Sequence, residues 1–269
     1  MLEIDLKGTV ALITGGSRGI GAGITELFCR AGARVYFTHT GSDKRRAAVA
    51  KFVARLTQAG GSVTAVASDA TDAGATAELI DRIVRENGRI DVLVTNVGQN
   101  LAGPAEKVSD EQWRRFIDIN LSSAFYAVRG VLPHMLAASK GRRGPRRTSS
   151  RRGTLIFIGS SAVVDGGGGA IDYAAAKAGL DGMMKYLCRN YARRGIVANV
   201  IHPSAIETDL LKERYRDPEK RKQLVGQVPV GRLGQPEDVA ALAAYLASPL
   251  GGFVCGQSIL VDGGRMLFG

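Results

Sequence analysis

The chain contains few cysteines and histidines, which argues against a disulfide-stapled scaffold and against a metal centre. Its 269 residues include 3 Cys and 3 His. The cysteines are odd in number, far apart and never in a C-x-x-C pair, so we expect small buried thiols in a reducing, cytoplasmic setting. The histidines show no metal-ligand spacing, so we expect no metal. The residues concerned are Cys29, Cys188, Cys255, His39, His134 and His202.

Long hydrophobic runs are also lacking. No apolar run approaches the ~20 residues that a membrane helix requires. The opening residues, MLEIDLKGTV, contain no basic segment followed by an apolar stretch, so no secretory signal is visible. The balance of 45% hydrophobic and 23% charged residues is that of an ordinary globular protein, and it excludes a collagen-like or disordered chain.

Acidic residues are fewer than basic ones, 25 against 36, and the formal net charge is +11. Much of the excess lies in residues 140–152, KGRRGPRRTSSRR, which hold one Lys, six Arg and no acid. We predict a basic surface insert, 139–153, that is solvated and mobile. Docking of an acidic partner and nucleic-acid binding stay open, although the insert has no aromatic residue that could stack on bases.

Short apolar runs alternate with longer helical stretches along the chain. Such alternation is typical of βαβ units, and near-continuous apolar strands indicate that both faces of a parallel sheet are covered. We therefore predict an α/β fold: one doubly wound domain, 1–269, with a seven-stranded parallel sheet and helices on both faces. The predicted strands are 9–14, 34–38, 62–67, 91–95, 154–159, 196–201 and 258–264, and the predicted helices are 20–31, 43–59, 73–87, 110–138, 172–193 and 236–247.

A glycine cluster, TGGSRGIG (14–21), follows the first predicted strand and opens a helix. Glycines allow a sharp turn and the close approach of a pyrophosphate to the amides of a helix N-terminus. The spacing differs from G-x-G-x-x-G, but its place between strand and helix is what a Rossmann-type dinucleotide site requires. The candidate cofactor-binding residues of this turn are Gly15, Ser17, Arg18, Gly19, Ile20 and Gly21.

The end of the second predicted strand bears on the choice of dinucleotide. NAD sites usually place an acidic residue here to hold the ribose 2′-hydroxyl, and that carboxylate would repel a 2′-phosphate. The sequence reads Thr38, His39, Thr40, with no acid until Asp43. Together with Arg18 in the glycine turn, Thr38 and His39 favour NADP (NADPH) over NAD.

Tyr173 and Lys177 lie four residues apart at the start of a predicted helix, so both side chains face one point. A Lys ammonium beside a phenol lowers the phenol's pKa from about 10, which yields a general acid for a carbonyl or a general base for an alcohol. Ser160 follows the strand 154–159, where its hydroxyl would bond the reacting oxygen. Asn120 lies on the preceding long predicted helix.

In their order and spacing these residues resemble the short-chain dehydrogenase/reductase family over nearly the whole chain. Within that family the chain is most similar to the β-ketoacyl-(acyl-carrier-protein) reductases. The motifs that carry the resemblance are TGGSRGIG (14–21), ASDATD (67–72), DVLVTNVG (91–98), IDINLSSAF (117–125), IGSS (158–161), YAAAKAGL (173–180), ANVIHPSAIETDL (198–210), VPVGRLGQPEDVA (228–240) and GQSILVDGG (256–264).

The resemblance implies a role for each matching position. Tyr173 would donate the proton in a reduction, and Lys177 would hold the nicotinamide ribose and depress the Tyr173 pKa. Ser160 would polarise the substrate carbonyl, and Asn120 would anchor a water in a proton relay. Further cofactor contacts are implied at Asp69 and Ala70 near the adenine, at Asn96, Val97 and Gly98 near the ribose, and at Pro203, Ile206 and Thr208 near the nicotinamide.

The chain departs from the family pattern around the expected substrate pocket. Val97 replaces a smaller Ala, and Ser204 replaces a Gly after Pro203. The loop 165–169 contains four consecutive glycines, which suggests a permissive pocket wall. The charged segment 204–228 has the place of the family's mobile substrate lid.

The expected reaction is the NADP-dependent reduction of a 3-oxoacyl thioester, linked to acyl carrier protein or CoA, as in fatty acid biosynthesis. A sugar, polyol or other small secondary-alcohol dehydrogenase of the same family stays open, and so does a nucleotide-sensing or nucleic-acid-associated protein without activity. An acidic acyl carrier would dock on Arg193, Arg194 and the 140–152 insert. The resemblance also implies a homotetramer in which helices 110–138 and 172–193 pair with their copies.

Overall fold

The computed structural model describes residues 4–41, 43–137 and 151–268. One sheet holds seven parallel strands in the order β3-β2-β1-β4-β5-β6-β7, which confirms the predicted α/β architecture. The strands are β1 (Val10–Thr14), β2 (Arg34–His39), β3 (Ser62–Ala67), β4 (Val92–Thr95), β5 (Gly153–Ile158), β6 (Ile196–Pro203) and β7 (Ser258–Val261). The helices are α1 (Gly19–Arg30), α2 (Asp43–Gln58), α3 (Ala73–Asn87), α4 (Asp110–Ile117), α5 (Ser123–Ala137), α6 (Ala162–Asp165), α7 (Ile171–Tyr191), α8 (Asp209–Arg214), α9 (Pro218–Gly226), α10 (Pro236–Ala247) and α11 (Arg265–Phe268).

Side chains of each central strand alternate between two cores, because successive residues of a strand point to opposite faces of the sheet. In β1, Ala11 and Ile13 face the core formed with α1, α2 and α10. Val10 and Leu12 face the core formed with α3, α5 and α7. Every residue of β1, β4, β5 and β6 is buried, as expected of a parallel sheet covered on both faces.

The predicted helix 110–138 is present as continuous helical structure from Asp110 to Ala137, but it contains a π-helical turn that the sequence pattern did not predict. The chain forms α4, then a π-helical turn over Asp118–Ser122, then α5. The amide of Asn120 donates to the carbonyl of Phe116 four residues earlier, at 2.9 Å, and so competes with the helix's own hydrogen bonds. A π-turn of this kind is frequent at functional sites.

Residues 139–150 of the predicted basic insert lie outside the described residues. The two arginines that follow are structural, so for them the prediction of a solvated loop is wrong. Arg151 donates to the carbonyls of Ala247 and Ser248 at the carboxyl end of α10, at 2.6 and 2.8 Å. Arg152 donates to the carbonyl of Leu136 near the end of α5. Cations at these positions complement the negative ends of the helix dipoles.

The order of the strands determines where a ligand can bind. The chain order reverses between β1 and β4, and in doubly wound sheets the crevice outside the carboxyl ends at such a point holds the ligand. The glycine turn after β1, Asn96–Gly98 after β4, Ser160 after β5 and Pro203 at the end of β6 all lie at this edge.

Candidate active site

The glycine turn is a tight cradle in which a side chain would not fit. A Cβ atom on Gly21 would lie 2.3 Å from the Gly15 carbonyl oxygen, and Gly15 itself has a φ of 67°. The Thr38 hydroxyl accepts a hydrogen bond from the Gly15 amide at 3.0 Å and holds the turn against β2. The first turn of α1, all of which is described, has no acidic residue, so its amides are suited to a pyrophosphate.

The residues at the carboxyl end of β2 are buried, whereas the arginines near them are exposed. Thr38 and His39 are buried, and the His39 Nδ1 atom lies 3.1 Å from the Thr40 carbonyl oxygen. Arg18 is exposed in the turn. The Arg45 guanidinium donates to the Thr40 hydroxyl at 2.8 Å. Sequence reasoning missed Arg45, although the basic run KRR at 44–46 directly after this strand was a usable signal.

Asn96 braces the glycine turn from the end of β4. Its amide donates to the carbonyls of Gly15 at 2.9 Å and Thr14 at 3.3 Å. Val97 lies against the same turn, because its Cγ2 would be 3.2 Å from a Cβ on Gly15. Gly98 is exposed, and a Cβ there would lie 3.0 Å from Asn120 Oδ1 and 3.1 Å from Lys177 Nζ. The predicted cofactor-binding residues and the predicted catalytic residues therefore meet at Gly98.

Ser160 and Tyr173, predicted from separate motifs, are brought together at the carboxyl end of β5. The Ser160 hydroxyl lies beside the Tyr173 phenol. Burial raises the pKa of the Tyr173 phenol above its ordinary value, while the bond to Ser160 and the charge of Arg214 act to lower it. The lowering of this pKa by Lys177, which the family resemblance implies, stays a prediction.

Lys177 is buried at the centre of the site, with 3% of its surface exposed. Its Nζ donates to the Ile158 carbonyl at 3.0 Å and lies 5.8 Å from the centre of the Tyr173 ring. Burial lowers the pKa of Lys177 to about 8, because the charged ammonium loses its hydration there. A lysine with this pKa exchanges a proton readily near neutral pH.

Asn120 fixes the chain that borders Lys177. It is 1% exposed, its Oδ1 accepts from the Gln99 amide at 3.0 Å, and its Nδ2 donates to the Gln99 carbonyl at 2.9 Å. The π-turn is what presents this side chain to residues 98–99. The anchoring of a relay water by Asn120 stays a prediction.

The other predicted cofactor residues border the same crevice or flank it. Asp69 is exposed, and its carboxylate accepts a hydrogen bond from the Thr71 amide at 2.9 Å. Ala70 lies between these two residues in the chain.

The residues predicted near the nicotinamide lie at the end of β6 and after it. The Pro203 carbonyl accepts a hydrogen bond from the Ser161 amide at 3.0 Å, and Ile206 is buried. Thr208 caps α8, and its Cγ2 would be 3.2 Å from a Cβ on Gly19, so it faces the glycine turn directly. Ser17 and Ile20, both partly buried, belong to that turn.

A glycine wall, residues 166–169, bounds Tyr173, the predicted proton donor. Gly168 and Gly169 have φ values of 84° and 78°, and a Cβ on Gly168 would lie 3.0 Å from Tyr173 Cδ1. The Gly168 carbonyl accepts from the Asn100 amide and, at 3.3 Å, from the Arg214 guanidinium of α8. Sequence reasoning missed Asn100 and Arg214, because only the fold brings them to this carbonyl.

Over residues 4–41, 43–137 and 151–268, no group of three or more His, Cys, Asp or Glu side chains is arranged to hold a metal ion. No helix in those ranges is long and apolar enough to cross a membrane.

Comparison with known proteins places this site in a family. A family model described as enoyl-(acyl carrier protein) reductase matches residues 15–265. A 3β-hydroxysteroid dehydrogenase 1 from Eggerthella lenta is 36% identical over 98% of this chain and 96% of its own length. The 3-oxoacyl-(acyl-carrier-protein) reductase of Escherichia coli is 35% identical over 98% of this chain and 100% of its own.

A solved short-chain dehydrogenase/reductase from Serratia marcescens superposes with a TM-score of 0.83 at 34% identity, covering 97% of this chain and 99% of that one. The catalytic roles of Ser160, Tyr173 and Lys177 stay predictions. The chain belongs to the short-chain dehydrogenase/reductase family of NAD(P)-dependent oxidoreductases.

Proposed function

We propose that the protein is an NADP-dependent reductase that converts a ketone to a secondary alcohol, with a 3-oxoacyl thioester as its substrate. The observation that carries this proposal is the catalytic cluster itself. Two hydroxyls, those of Ser160 and Tyr173, lie next to each other beside a buried lysine whose pKa is about 8. A carbonyl oxygen placed against both hydroxyls would receive a hydrogen bond and a proton from the same side.

The residues divide the work of the reduction. The Ser160 hydroxyl donates to the substrate carbonyl oxygen and polarises it, and the Tyr173 hydroxyl gives that oxygen its proton. Because burial raises the Tyr173 pKa, the phenol stays protonated at neutral pH, as a proton donor must. Lys177, near its pKa, would return a proton to the tyrosine. The nicotinamide, when bound, supplies the hydride.

The turn fits a dinucleotide, because Gly15, with a φ of 67°, turns the chain directly into α1, and the first turn of that helix, all of it described, carries no acidic residue that would repel a pyrophosphate. Gly15, Gly19 and the amides at the start of α1 would hold the pyrophosphate. Arg45, bonded to Thr40 just after β2, and Arg18, exposed in the glycine turn, favour NADP, because guanidiniums suit a 2′-phosphate. An Arg18→Ala, Arg45→Ala double variant should bind NADPH at least about tenfold more weakly and NADH unchanged, a difference of about 1.4 kcal/mol.

The thioester assignment is supported by the relative named 3-oxoacyl-(acyl-carrier-protein) reductase and by the exposed basic pair Arg193 and Arg194. Within one chain, however, this pair follows the end of α7 while Tyr173 lies near its start. A helix of 21 residues places them about 30 Å apart. A carrier docked on Arg193 and Arg194 would therefore serve the site of a second copy, with α7 paired antiparallel across a two-fold axis.

Exposed apolar side chains support the proposed homotetramer, which needs two kinds of two-fold contact. Trp113, Phe125 and Tyr186 are exposed on α4, α5 and α7. Phe253 and Leu260 are exposed beside and on the edge strand β7. These two surfaces are the proposed interfaces.

A second candidate is the oxidation or reduction of a bulkier secondary alcohol. The relative named 3β-hydroxysteroid dehydrogenase favours it, and so does the glycine wall, which offers no side chain that would exclude a ring system. A sugar or polyol substrate has no comparable support. Membership in an oxidoreductase family removes the alternative of a protein without activity.

One panel of assays separates these candidates. NADPH oxidation is followed by absorbance with an acetoacetyl thioester, a 3-oxosteroid and a small keto-sugar, and each is repeated with NADH. Reduction of the thioester with NADPH, at a kcat/KM at least about tenfold above that for the other ketones, supports the proposal. Turnover of the steroid alone contradicts the thioester proposal and supports the second candidate. A preference for NADH contradicts the role given to Arg18 and Arg45.

A further inference from the structure

A buried histidine lies directly behind the catalytic serine, and the mechanism above does not use it. His202, on β6 next to Pro203, has 2% of its surface exposed. Its Nδ1 accepts a hydrogen bond from the main-chain amide of Ser160 at 3.1 Å. Its Nε2 lies 3.2 Å from Oδ1 of Asp181 on α7. Both ring nitrogens are therefore engaged, one by the catalytic serine and one by a carboxylate.

These two contacts fix the tautomer of the ring. A main-chain amide can only donate, so Nδ1 must be the unprotonated nitrogen and the proton must lie on Nε2, where it is donated to Asp181. The Asp181 carboxylate is oriented in turn by the Ser258 hydroxyl of β7, which donates to the same oxygen. The result is a continuous chain of hydrogen bonds from β7 through α7 and β6 to Ser160.

The packing around the ring is specific to this contact. A Cβ on Gly159 would lie 2.3 Å from His202 Nδ1, so glycine is needed for the ring to reach the main chain before Ser160. Asp181 follows Lys177 by four residues and Tyr173 by eight, so all three lie along one face of α7. The helix α7 that carries Tyr173 and Lys177 therefore also carries Asp181. Through this carboxylate it orients His202, which in turn contacts Ser160.

We propose that His202 is a positioning residue, held as the Nε2–H tautomer by Asp181, which sets the position of Ser160 relative to Tyr173. The inference rests on the proposed function only in requiring a carbonyl or alcohol at these two hydroxyls. If Nδ1 no longer accepts, the Ser160 amide is a buried donor without a partner. The turn from Ser160 into α6 then moves, and the serine hydroxyl moves with it.

Two matched substitutions separate the two ring nitrogens. The amide oxygen of Asn is as far from Cβ as His Nδ1, so His202→Asn retains an acceptor for Ser160 and loses the Asp181 contact. The amide of Gln reaches the position of Nε2, so His202→Gln retains the Asp181 contact and loses the acceptor. We expect kcat within about threefold of wild type for Asn and at least about tenfold lower for Gln, as small displacements of catalytic groups cost this much or more. The Kd for NADPH should stay within twofold in both.

The wild-type protein gives an independent test. With 15N-labelled histidine, the Nε2–H tautomer of His202 should be seen in the spectrum of the ligand-free enzyme, identified among three histidines by its loss in His202→Asn. An Nδ1–H tautomer overturns the proposal. So does equal kcat in the Asn and Gln variants, whether both are retained or both are lost.

If neither variant folds, Asp181→Asn and Asp181→Leu replace them. Asn keeps an oxygen for the Nε2–H and should retain kcat, while Leu releases the ring and should lower kcat at least about tenfold. Equal kcat in these two variants also overturns the proposal. Failure of the thioester assignment would look different, because the spectrum does not depend on substrate and the kcat comparison can use any ketone or alcohol that the enzyme turns over.

Discussion

At the scale of single residues, the site keeps a charged group where water is excluded. Lys177 is nearly inaccessible, and its one described hydrogen bond is to the Ile158 carbonyl. Burial lowers its pKa from 10.5 to about 8. The folded protein therefore holds fewer protons on this lysine than the unfolded chain between these two values. Its effect on stability is unfavourable at neutral pH and fades as the pH rises towards 10.5.

Lys177→Met should consequently abolish reduction and stabilise the fold. The shift corresponds to a penalty on the order of 3 kcal/mol below pH 8, because each pKa unit is about 1.4 kcal/mol. We expect the Tm at pH 7 to rise by at least about 2 °C. The gain should shrink between pH 8 and 10.5, as followed by thermal denaturation. Lys185→Met, on the exposed side of α7, is the control and should leave Tm unchanged. A lower Tm for Lys177→Met at pH 7 would contradict the account.

Residue-level roles could be predicted from the sequence only where spacing or family resemblance carried them. Tyr173 and Lys177 are four apart on a helix, and the resemblance pointed to Ser160 and Asn120. Asn100, Arg214 and Asp181 have no such signal, because each contacts a partner that is distant in sequence.

The cysteines show the same limit of sequence reasoning. Cys188 and Cys255 are 67 residues apart in the chain, yet their sulfurs lie 3.3 Å apart and both residues are partly exposed. The expectation of buried thiols therefore holds only for Cys29.

At the scale of secondary-structure elements, the glycine turn and the π-turn shape the crevice. The alternation of apolar runs predicted all seven strands and the order of the main helices. It could not predict the π-helical turn after α4, because the side chain in that turn, Asn120, finds its hydrogen-bond partner in Gln99, which only the fold brings near. The predicted strand 258–264 ends at Val261 because Gly263 and Gly264 have positive φ values and turn the chain.

Gly21→Ala should disable the cofactor cradle. The added Cβ would lie 2.3 Å from the Gly15 carbonyl oxygen and 2.6 Å from Asn96 Nδ2, so the turn would have to open. We expect the affinity for NADPH, measured by fluorescence titration, to fall at least about tenfold, which is about 1.4 kcal/mol. Gly226→Ala is the matched control, since a Cβ there meets nothing within 4 Å. Unchanged NADPH binding by Gly21→Ala would show that the turn does not hold the cofactor.

At the scale of the whole molecule, the proposed catalytic site and the proposed carrier-docking site lie at opposite ends of the parallel strands. The catalytic cluster lies at the carboxyl ends of the strands. Arg193 and Arg194 precede β6 and so lie at the opposite edge. A carrier that docks on this pair can deliver its substrate only if a second chain brings its own site close. The proposed carrier docking therefore depends on the proposed oligomer.

Reversing the charge of Arg193 and Arg194 together to Glu should raise the KM for a carrier-linked substrate at least about tenfold. It should leave a short CoA thioester unaffected, because docking of an acidic partner is electrostatic and screened by salt. Tyr186→Asp, which disrupts the proposed helix interface, should reduce the mass measured by light scattering and have the same selective effect. If the dissociated Tyr186→Asp variant keeps the wild-type KM for the carrier-linked substrate, the arginines act within one chain and the account is contradicted.

Tyr173→Phe tests the central claim most directly, because it removes one hydroxyl and keeps the ring. NADPH oxidation with an acetoacetyl thioester is compared in the variant and the wild type, alongside NADPH binding. The account predicts that binding stays within twofold while the rate of reduction falls at least about 100-fold, the lower range of general acid catalysis. A variant that reduces the thioester at a tenth or more of the wild-type rate would contradict the assignment of Tyr173 as the proton donor.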